Sequence, residues 1–297
     1  MTVEKWIARN TESLVGKTVA ISGATGGIGR ELCAYLAALG AALILLDRNA
    51  ERSRALRVSL TERFPTLSVE TVPVDMEKLD TVKRAADVLL EKGVDYLVLN
   101  AGAYSIPRRI TEAGYDNVFQ INFVAPYYLA RQLLPMISAR EGRIVAVGSI
   151  AHGYSVTDPS DVDFRTRRRA SLVYGNAKRH LMLALPAIAE RGISVTHPGI
   201  TQTNITAHYP RLVYAVIKYP MKVIFPSPKR AARSILRGLF EDTAAGEWIG
   251  PRVLDVWGVP KKSRYKTISE EERRRVIISA EQIYAETARK ERAEGAP

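Results

Sequence analysis

The sequence predicts an α/β fold on three observations. Short β-branched runs alternate with amphipathic stretches along most of the chain, the rhythm of βαβ units around a parallel sheet. A glycine-rich turn stands where the first such run meets the first amphipathic stretch. No internal repeat, low-complexity tract or Pro/Ser/Gly linker divides the 297 residues, so one domain over 1–297 is expected. Strands are expected at 18–22, 42–47, 68–74, 95–100, 143–148, 194–197 and 247–250. Helices are expected at 27–39, 50–63, 77–92, 112–139, 174–190 and 228–240. Seven parallel strands with helices on both faces make a doubly wound, Rossmann-type sheet. Two pieces lie outside this rhythm. Residues 1–16 form an N-terminal extension in which Val3, Trp6 and Ile7 share one helical face. Residues 265–297 form a C-terminal helical extension that starts at Ser269, with Glu272 completing a capping box.

Composition narrows the class. Apolar residues make up 46% and charged residues 25%, an ordinary globular balance that argues against wholesale disorder. The one cysteine, Cys33, excludes an intrachain disulfide and a Cys-rich zinc site, and its place behind the glycine turn reads as core. None of the four histidines falls at metal spacing, so no catalytic metal is expected. The N-terminus carries charge where a signal peptide needs an apolar core. The longest charge-free apolar run, 32–46, has 15 residues against the roughly 20 a membrane span requires. A soluble, cytoplasmic protein is the expectation. With 43 Lys plus Arg against 31 Asp plus Glu, the formal charge is +12. It is uneven, because residues 1–150 hold 18 basic and 16 acidic groups and residues 151–297 hold 25 and 15. Nucleic acid is not expected as a partner, since no helix-turn-helix, stacking motif or zinc module accompanies that charge.

The first strand runs into Ser22-Gly23-Ala24-Thr25-Gly26-Gly27-Ile28-Gly29 and a helix follows. Glycines there permit a tight turn, close approach of backbone to a pyrophosphate, and intimate helix–strand packing. The pyrophosphate would rest on the amides and positive dipole of the helix N-terminus. Asp47 ends the second strand, 18 residues beyond Gly29, where a carboxylate binds adenosine-ribose hydroxyls. That favours NAD(H) over NADP(H), although Arg48 beside it could neutralise an extra phosphate. A solvated turn is the competing reading of the Asp47-Arg48 pair.

Four motifs in order, Ser22-Gly23-x-x-x-Gly27-Ile28-Gly29, Asn100-Ala101-Gly102, Tyr174-x-x-x-Lys178 and Pro198-Gly199, resemble those of the short-chain dehydrogenase/reductase family and span most of the chain. The resemblance implies further cofactor contacts. Asp75 and Met76 would flank the adenine, and Asn100, Ala101 and Gly102 would back the ribose. Pro198, Gly199, Thr201 and Thr203 would hold the nicotinamide carboxamide. It also implies a catalytic tetrad of Asn122, Ser149, Tyr174 and Lys178, with Asn122 holding a water in a proton relay. Tyr174 and Lys178, four apart on a helix, project from one face. A lysine ammonium and a nicotinamide cation both favour the phenolate, which lowers a tyrosine pKa from near 10 toward working pH.

Ser149-Ile150-Ala151-His152, Asp163-Phe164, His197-Pro198-Gly199 and Trp248-Ile249-Gly250-Pro251 with Trp257-Gly258 are similar to the retinol-dehydrogenase-like branch of that family. The similarity implies a bulky lipophilic alcohol or ketone as substrate. A hydroxysteroid leads, with bacterial-type 20β-hydroxysteroid oxidoreduction as the sharpest form. Residues 204–228, apolar with interspersed Arg and Lys, are expected to form a substrate lid, with a core helix or shallow membrane docking as alternatives. Arg165-Thr166-Arg167-Arg168-Arg169 reads as a solvated loop, or as a contact for an acidic partner or anionic substrate group, and Arg273-Arg274-Arg275 as a solvated helix face. Relatives form homo-oligomers, dimer or tetramer, through the helix carrying Tyr174, where Pro186 departs from expectation. An NADPH-dependent retinol-type or carbonyl reductase is the enzyme alternative. A dinucleotide-sensing regulatory protein is the non-enzyme one. Peripheral membrane contact is not favoured.

Overall fold

The computed structural model describes residues 2–201, 226–266 and 268–294, with side chains to Arg289. Its strands are β1 (Thr18–Ser22), β2 (Ala42–Asp47), β3 (Val69–Pro73), β4 (Tyr96–Leu99), β5 (Arg143–Val147), β6 (Ile193–Thr196), β7 (Glu247–Val253) and β8 (Trp257–Arg264). They lie in one sheet in the order β3-β2-β1-β4-β5-β6-β7-β8. The first seven are parallel to their neighbours, while β8 returns antiparallel to β7. The expected seven-stranded parallel sheet is therefore corrected to an eight-stranded, mostly parallel one. Strand β8 lacks alternating apolar residues because it is the sheet edge, mostly exposed and rich in Lys and Arg.

Alternation along the strands divides the core. Ala20, Ile44, Leu46, Leu97, Leu99, Ile144 and Ala146 face one side; Val19, Ile21, Leu43, Leu45, Val98, Val145 and Val147 face the other. The first side is covered by α4 (Leu79–Lys92), α6 (Ala125–Ala139), α7 (Ala170–Ala184) and α9 (Glu270–Glu294). The second is covered by α1 (Val3–Asn10), α2 (Gly27–Ala38), α3 (Ala50–Arg63) and α8 (Pro228–Gly238). A short α5 (Asn117–Phe119) leads through a π-helical turn, Gln120–Val124, into α6.

Several boundaries differ from expectation. The stretch expected as one helix from 112 begins at Asn117, where Asp116 caps it by accepting from the amides of Val118 and Phe119. Helix α7 begins at Ala170, before Tyr174, and ends at Ala184, after which Pro186 sits in a single 3₁₀ turn, Leu185–Ala187. Ser269 accepts from the Glu272 amide, the expected start of α9. The lid expected at 204–228 lies outside the described residues up to 225. No helix among the described residues is long and apolar enough to cross a membrane.

The N-terminal extension packs against α8, on the sheet face opposite α7. Thr2 caps α1, and Trp6 is buried with the Arg233 guanidinium 5.7 Å above its ring. Trp6→Ala leaves a large void there and is expected to lower stability by about 3 kcal/mol in urea unfolding.

Candidate active site

The glycine turn is held by the ends of β1 and β4. The Ser22 hydroxyl accepts from the amides of Asn100 (3.1 Å) and Ala101 (3.0 Å), and the Asn100 side-chain amide donates to the carbonyls of Ser22 and Gly23. Gly23 sits at φ +67°, and a Cβ there would come 3.0 Å from Ala101 Cα. A Cβ on Gly29 would meet the Gly23 carbonyl at 2.3 Å, so only glycine lets α2 close on the turn. Gly26, the N-cap of α2, supplies no side-chain hydrogen bond, leaving the helix's first amides without a side-chain acceptor. Gly26, Gly27 and Ile28 are partly exposed. This cradle fits a dinucleotide pyrophosphate.

Asp47, buried at the end of β2, accepts from the Thr25 amide (3.2 Å) and hydroxyl (2.9 Å). Burial raises its pKa, against the bonds from Thr25 and Ser53 that lower it. Arg48 next to it is exposed. Asp75 accepts from the Glu77 amide (3.1 Å) and the Met76 carbonyl accepts from Gln120 (3.1 Å), fixing the loop after β3. Pro198 and Gly199 follow β6, with Gly199 at φ +82° and Thr201 buried; Thr203 lies outside the described residues.

Of the four residues expected to form the tetrad, Asn122 and Lys178 meet at Gly102, while Tyr174 pairs with Ser149 and its ring lies near Lys178. A Cβ on Gly102 would stand 2.9 Å from Asn122 Oδ1 and 3.7 Å from Lys178 Nζ. Asn122 lies in the π-helical turn and is fully buried, its amide nitrogen donating to the carbonyls of Ala103 and Val118, both at 2.8 Å. Its Oδ1 has no hydrogen-bond partner among the described residues, which fits an acceptor for a relay water. Lys178 donates to the Val147 carbonyl at 2.8 Å and stands 5.8 Å from the centre of the Tyr174 ring. Burial pushes this lysine down to about 8. Burial pushes the Tyr174 phenol up to about 12, opposed by its hydrogen bond with Ser149. Ser149, just past β5, also caps a 3₁₀ turn by accepting from the Ala151 amide (3.2 Å).

Sequence reasoning missed the scaffold behind these groups. His152 Nδ1 lies 2.7 Å from the Ser149 carbonyl, and His197 Nε2 lies 3.1 Å from that of Asp255. Trp248 stacks on His197 and meets His152 edge-on. Burial holds both histidines below their usual pKa, His197 down to about 4, so they are neutral packing groups near neutral pH. Tyr104 meets the Tyr174 ring edge-on at 5.3 Å. Arg179, one residue past Lys178, donates to the carbonyls of His152 (2.7 Å) and Ser155 (3.0 Å) and bidentately to Glu272 of α9 (2.7 and 2.6 Å). Glu272 therefore turns inward from the face read as solvated. Arg165 and Arg167 are also engaged, with Asp163 and Asp158, within the loop before α7.

The fold and these motifs define a dinucleotide-binding protein with a Ser/Tyr/Lys centre. Residues 17–159 match the family described as short chain dehydrogenase. Human retinol dehydrogenase 14 is 30% identical over 244 residues, covering 74% of this chain and 72% of that protein. Dehydrogenase/reductase SDR family member FEY of Arabidopsis thaliana is 30% identical over 241 residues, 74% of this chain, and the match spans 63% of FEY's own length. This chain belongs to the short-chain dehydrogenase/reductase family. Among solved structures, an uncharacterized protein from Mycobacterium paratuberculosis superposes with a TM-score of 0.70 at 24% identity, covering 95% of this chain and 96% of the other. That last likeness is one of fold.

The Arg179–Glu272 pair gives a stability prediction. Burial opposes ionisation of Glu272, but its bonds to Arg179 and Thr157 carry its pKa below the usual 4.5. A carboxylate held low stabilises the fold at neutral pH, and that contribution fades as pH falls through 4.5 and past the folded value. Glu272→Gln is expected to cost about 3 kcal/mol at pH 7, and the gap from wild type should shrink in acid in calorimetric unfolding.

Proposed function

We propose that this chain is an NAD(P)-dependent oxidoreductase interconverting a secondary alcohol and a ketone on a bulky lipophilic substrate. A hydroxysteroid is the leading class and 20β-hydroxysteroid oxidoreduction the sharpest form. The carrying observation is the Tyr174 hydroxyl on Ser149, with Lys178 and the unpartnered Asn122 oxygen meeting at Gly102.

With a dinucleotide's pyrophosphate in the glycine cradle, its nicotinamide would supply or accept the hydride. The chain handles oxygen and proton. Ser149 donates to the substrate oxygen and orients it over Tyr174. In reduction Tyr174 gives its phenolic proton to that oxygen; in oxidation the phenolate takes it back. With the phenol pushed up to about 12, the unliganded chain holds this proton at neutrality. The Lys178 ammonium lowers the price of the phenolate, and a water on Asn122 Oδ1 passes the proton toward solvent. Turnover should fall by about 10³-fold in Tyr174→Phe while dinucleotide binding, followed by fluorescence, persists. Full activity in that variant would refute the mechanism, and dinucleotide binding without turnover in wild type would favour the regulatory reading.

For the cofactor we favour NAD(H), because the Asp47 carboxylate occupies the end of β2, where a 2′-phosphate would meet a like charge. Exposed Arg48 supports the second reading, an NADPH-dependent retinol-type or carbonyl reductase. Steady-state turnover of cortisone-like and retinal-like substrates with NADH and NADPH separates the two, and Asp47→Ser should shift preference toward NADPH by about tenfold or more. A homo-oligomer remains part of the proposal, paired through a surface other than α6 and α7, which α9 covers.

A further inference from the structure

The β7–β8 hairpin presents a surface that the catalytic reading leaves unused. Its tip exposes Val253 (50%), Leu254 (79%), Trp257 (39%) and Val259 (38%) to solvent. Leu254 and Asp255 hold φ of 49° and 54°, the left-handed region in which glycine or asparagine is the cheap choice. Leu254 is kept there although most of its side chain faces solvent. Around this apolar tip the charge is mostly positive, with Asp255 the one acidic residue of the hairpin segment. Residues 251–266 carry five basic side chains and one acidic one, and Arg252, Lys261, Arg264 and Lys266 are exposed.

Beside the tip lies a cavity of about 330 Å³ between the hairpin, the loop after β6 and the start of α8, lined among others by Arg230, Arg233, Pro251 and Trp257. Arg233 is 6% exposed, and its bonds run to the carbonyls of Arg230 and Gly258, both 3.2 Å. No carboxylate pairs with it among the described residues, and burial with the charge of Arg230 lowers its pKa. Residues 202–225 contain no Asp or Glu. Two arginines in a cavity at the rim of a Trp- and Leu-tipped loop match a negatively charged headgroup above acyl chains.

We propose that the β7–β8 hairpin docks this protein peripherally on an anionic phospholipid surface, with Leu254 and Trp257 in the interface and a headgroup phosphate against Arg230 and Arg233. This goes beyond the oxidoreductase reading and stands or falls apart from it. Tryptophan and leucine supply the interfacial anchor, and the flanking cations add attraction that only anionic lipid provides.

Co-sedimentation of the full chain with vesicles of phosphatidylcholine alone, and of phosphatidylcholine with phosphatidylserine, tests the proposal. Partitioning should be at least about tenfold stronger with the anionic lipid, and should persist in part at physiological salt. Leu254→Asp, at an exposed site, should reduce it about tenfold or more with an unchanged circular-dichroism melt. Quenching of tryptophan fluorescence by brominated acyl chains reads insertion in the unaltered chain. No binding to the anionic vesicles, equal binding by Leu254→Asp, or absence of quenching overturns the proposal. So does release from vesicles by millimolar inorganic phosphate that also raises the melting temperature of the lipid-free chain, which would mark the cavity as a site for a free anion.

Discussion

The close approach of the C-terminal ends of β1 and β4 is the constraint on which the rest of the site depends. The Ser22 hydroxyl and the Asn100 amide lace the two strand ends together, and the chain can come that near only because Gly23 lacks a side chain, while Gly29 lets α2 close on the turn. The consequence runs in both directions from that lacing. On one side the turn opens the uncapped N-terminus of α2 toward an anion. On the other, Gly102 follows Asn100 and Ala101 and leaves room for Asn122 and Lys178 to reach the same point. The proposed cofactor cradle and proton relay thus share one pair of strand ends. A bulkier residue at Gly102 would push directly on the asparagine oxygen.

How much of this was legible depended on whether a residue's role is local. The glycine turn, Asp47 and the Tyr174/Lys178 pair each express a local rule of turn, strand end or helix spacing, and the structure sets them where those rules place them. Strands β1 to β7 carry enough β-branched and apolar residues to be read within a residue or two at most ends. Strand β8 does not, because Pro260, Lys261, Lys262, Ser263 and Arg264 owe their extended form to pairing with β7 and not to their own propensity. The π-helical turn at Asn122 was invisible for a related reason. Its sequence, Gln120-Ile121-Asn122-Phe123-Val124, suits any buried helix, and the widened turn is set by packing. Arg179 and Glu272, 93 residues apart, could be paired only once α9 was seen to lie on α7.

Helix α9 changes the character of the catalytic side. Beyond the Arg179–Glu272 pair, it reaches α6 through Glu281 with Tyr127 and Arg131, and through Tyr284 with Gln132. Val276, Ala280 and Ile283 close the same core that holds Phe123 and Leu181. The helix bearing Tyr174 and Lys178, which the family resemblance implies pairs with a neighbouring subunit, is therefore packed by α9 from within its own chain. The shortening of α7 at Pro186 fits that arrangement, since a face covered internally need not continue as a long straight helix.

Part of the positive charge in the second half of the chain is used in such internal pairing. Arg165 and Arg167 brace the loop before α7, Arg179 ties that loop to α9, and Arg237 bonds Glu241 and the Pro260 carbonyl. These guanidiniums act as multidentate struts, each fixing two or more pieces of irregular backbone that the helices and strands leave unsupported. Arg233 differs in kind, because it is buried against the Trp6 ring and bonds only carbonyls, with no carboxylate partner among the described residues. A guanidinium withdrawn from water without a carboxylate keeps its full charge while losing much of its hydration. Its field then falls on the cavity beside it and on the hairpin that carries Arg252, Lys261 and Arg264. Arg252, Lys261 and Arg264 thus stand on the same hairpin as the exposed Val253, Leu254, Trp257 and Val259, and that local coincidence of sign and hydrophobicity, more than the total of +12, is what motivates the proposed docking.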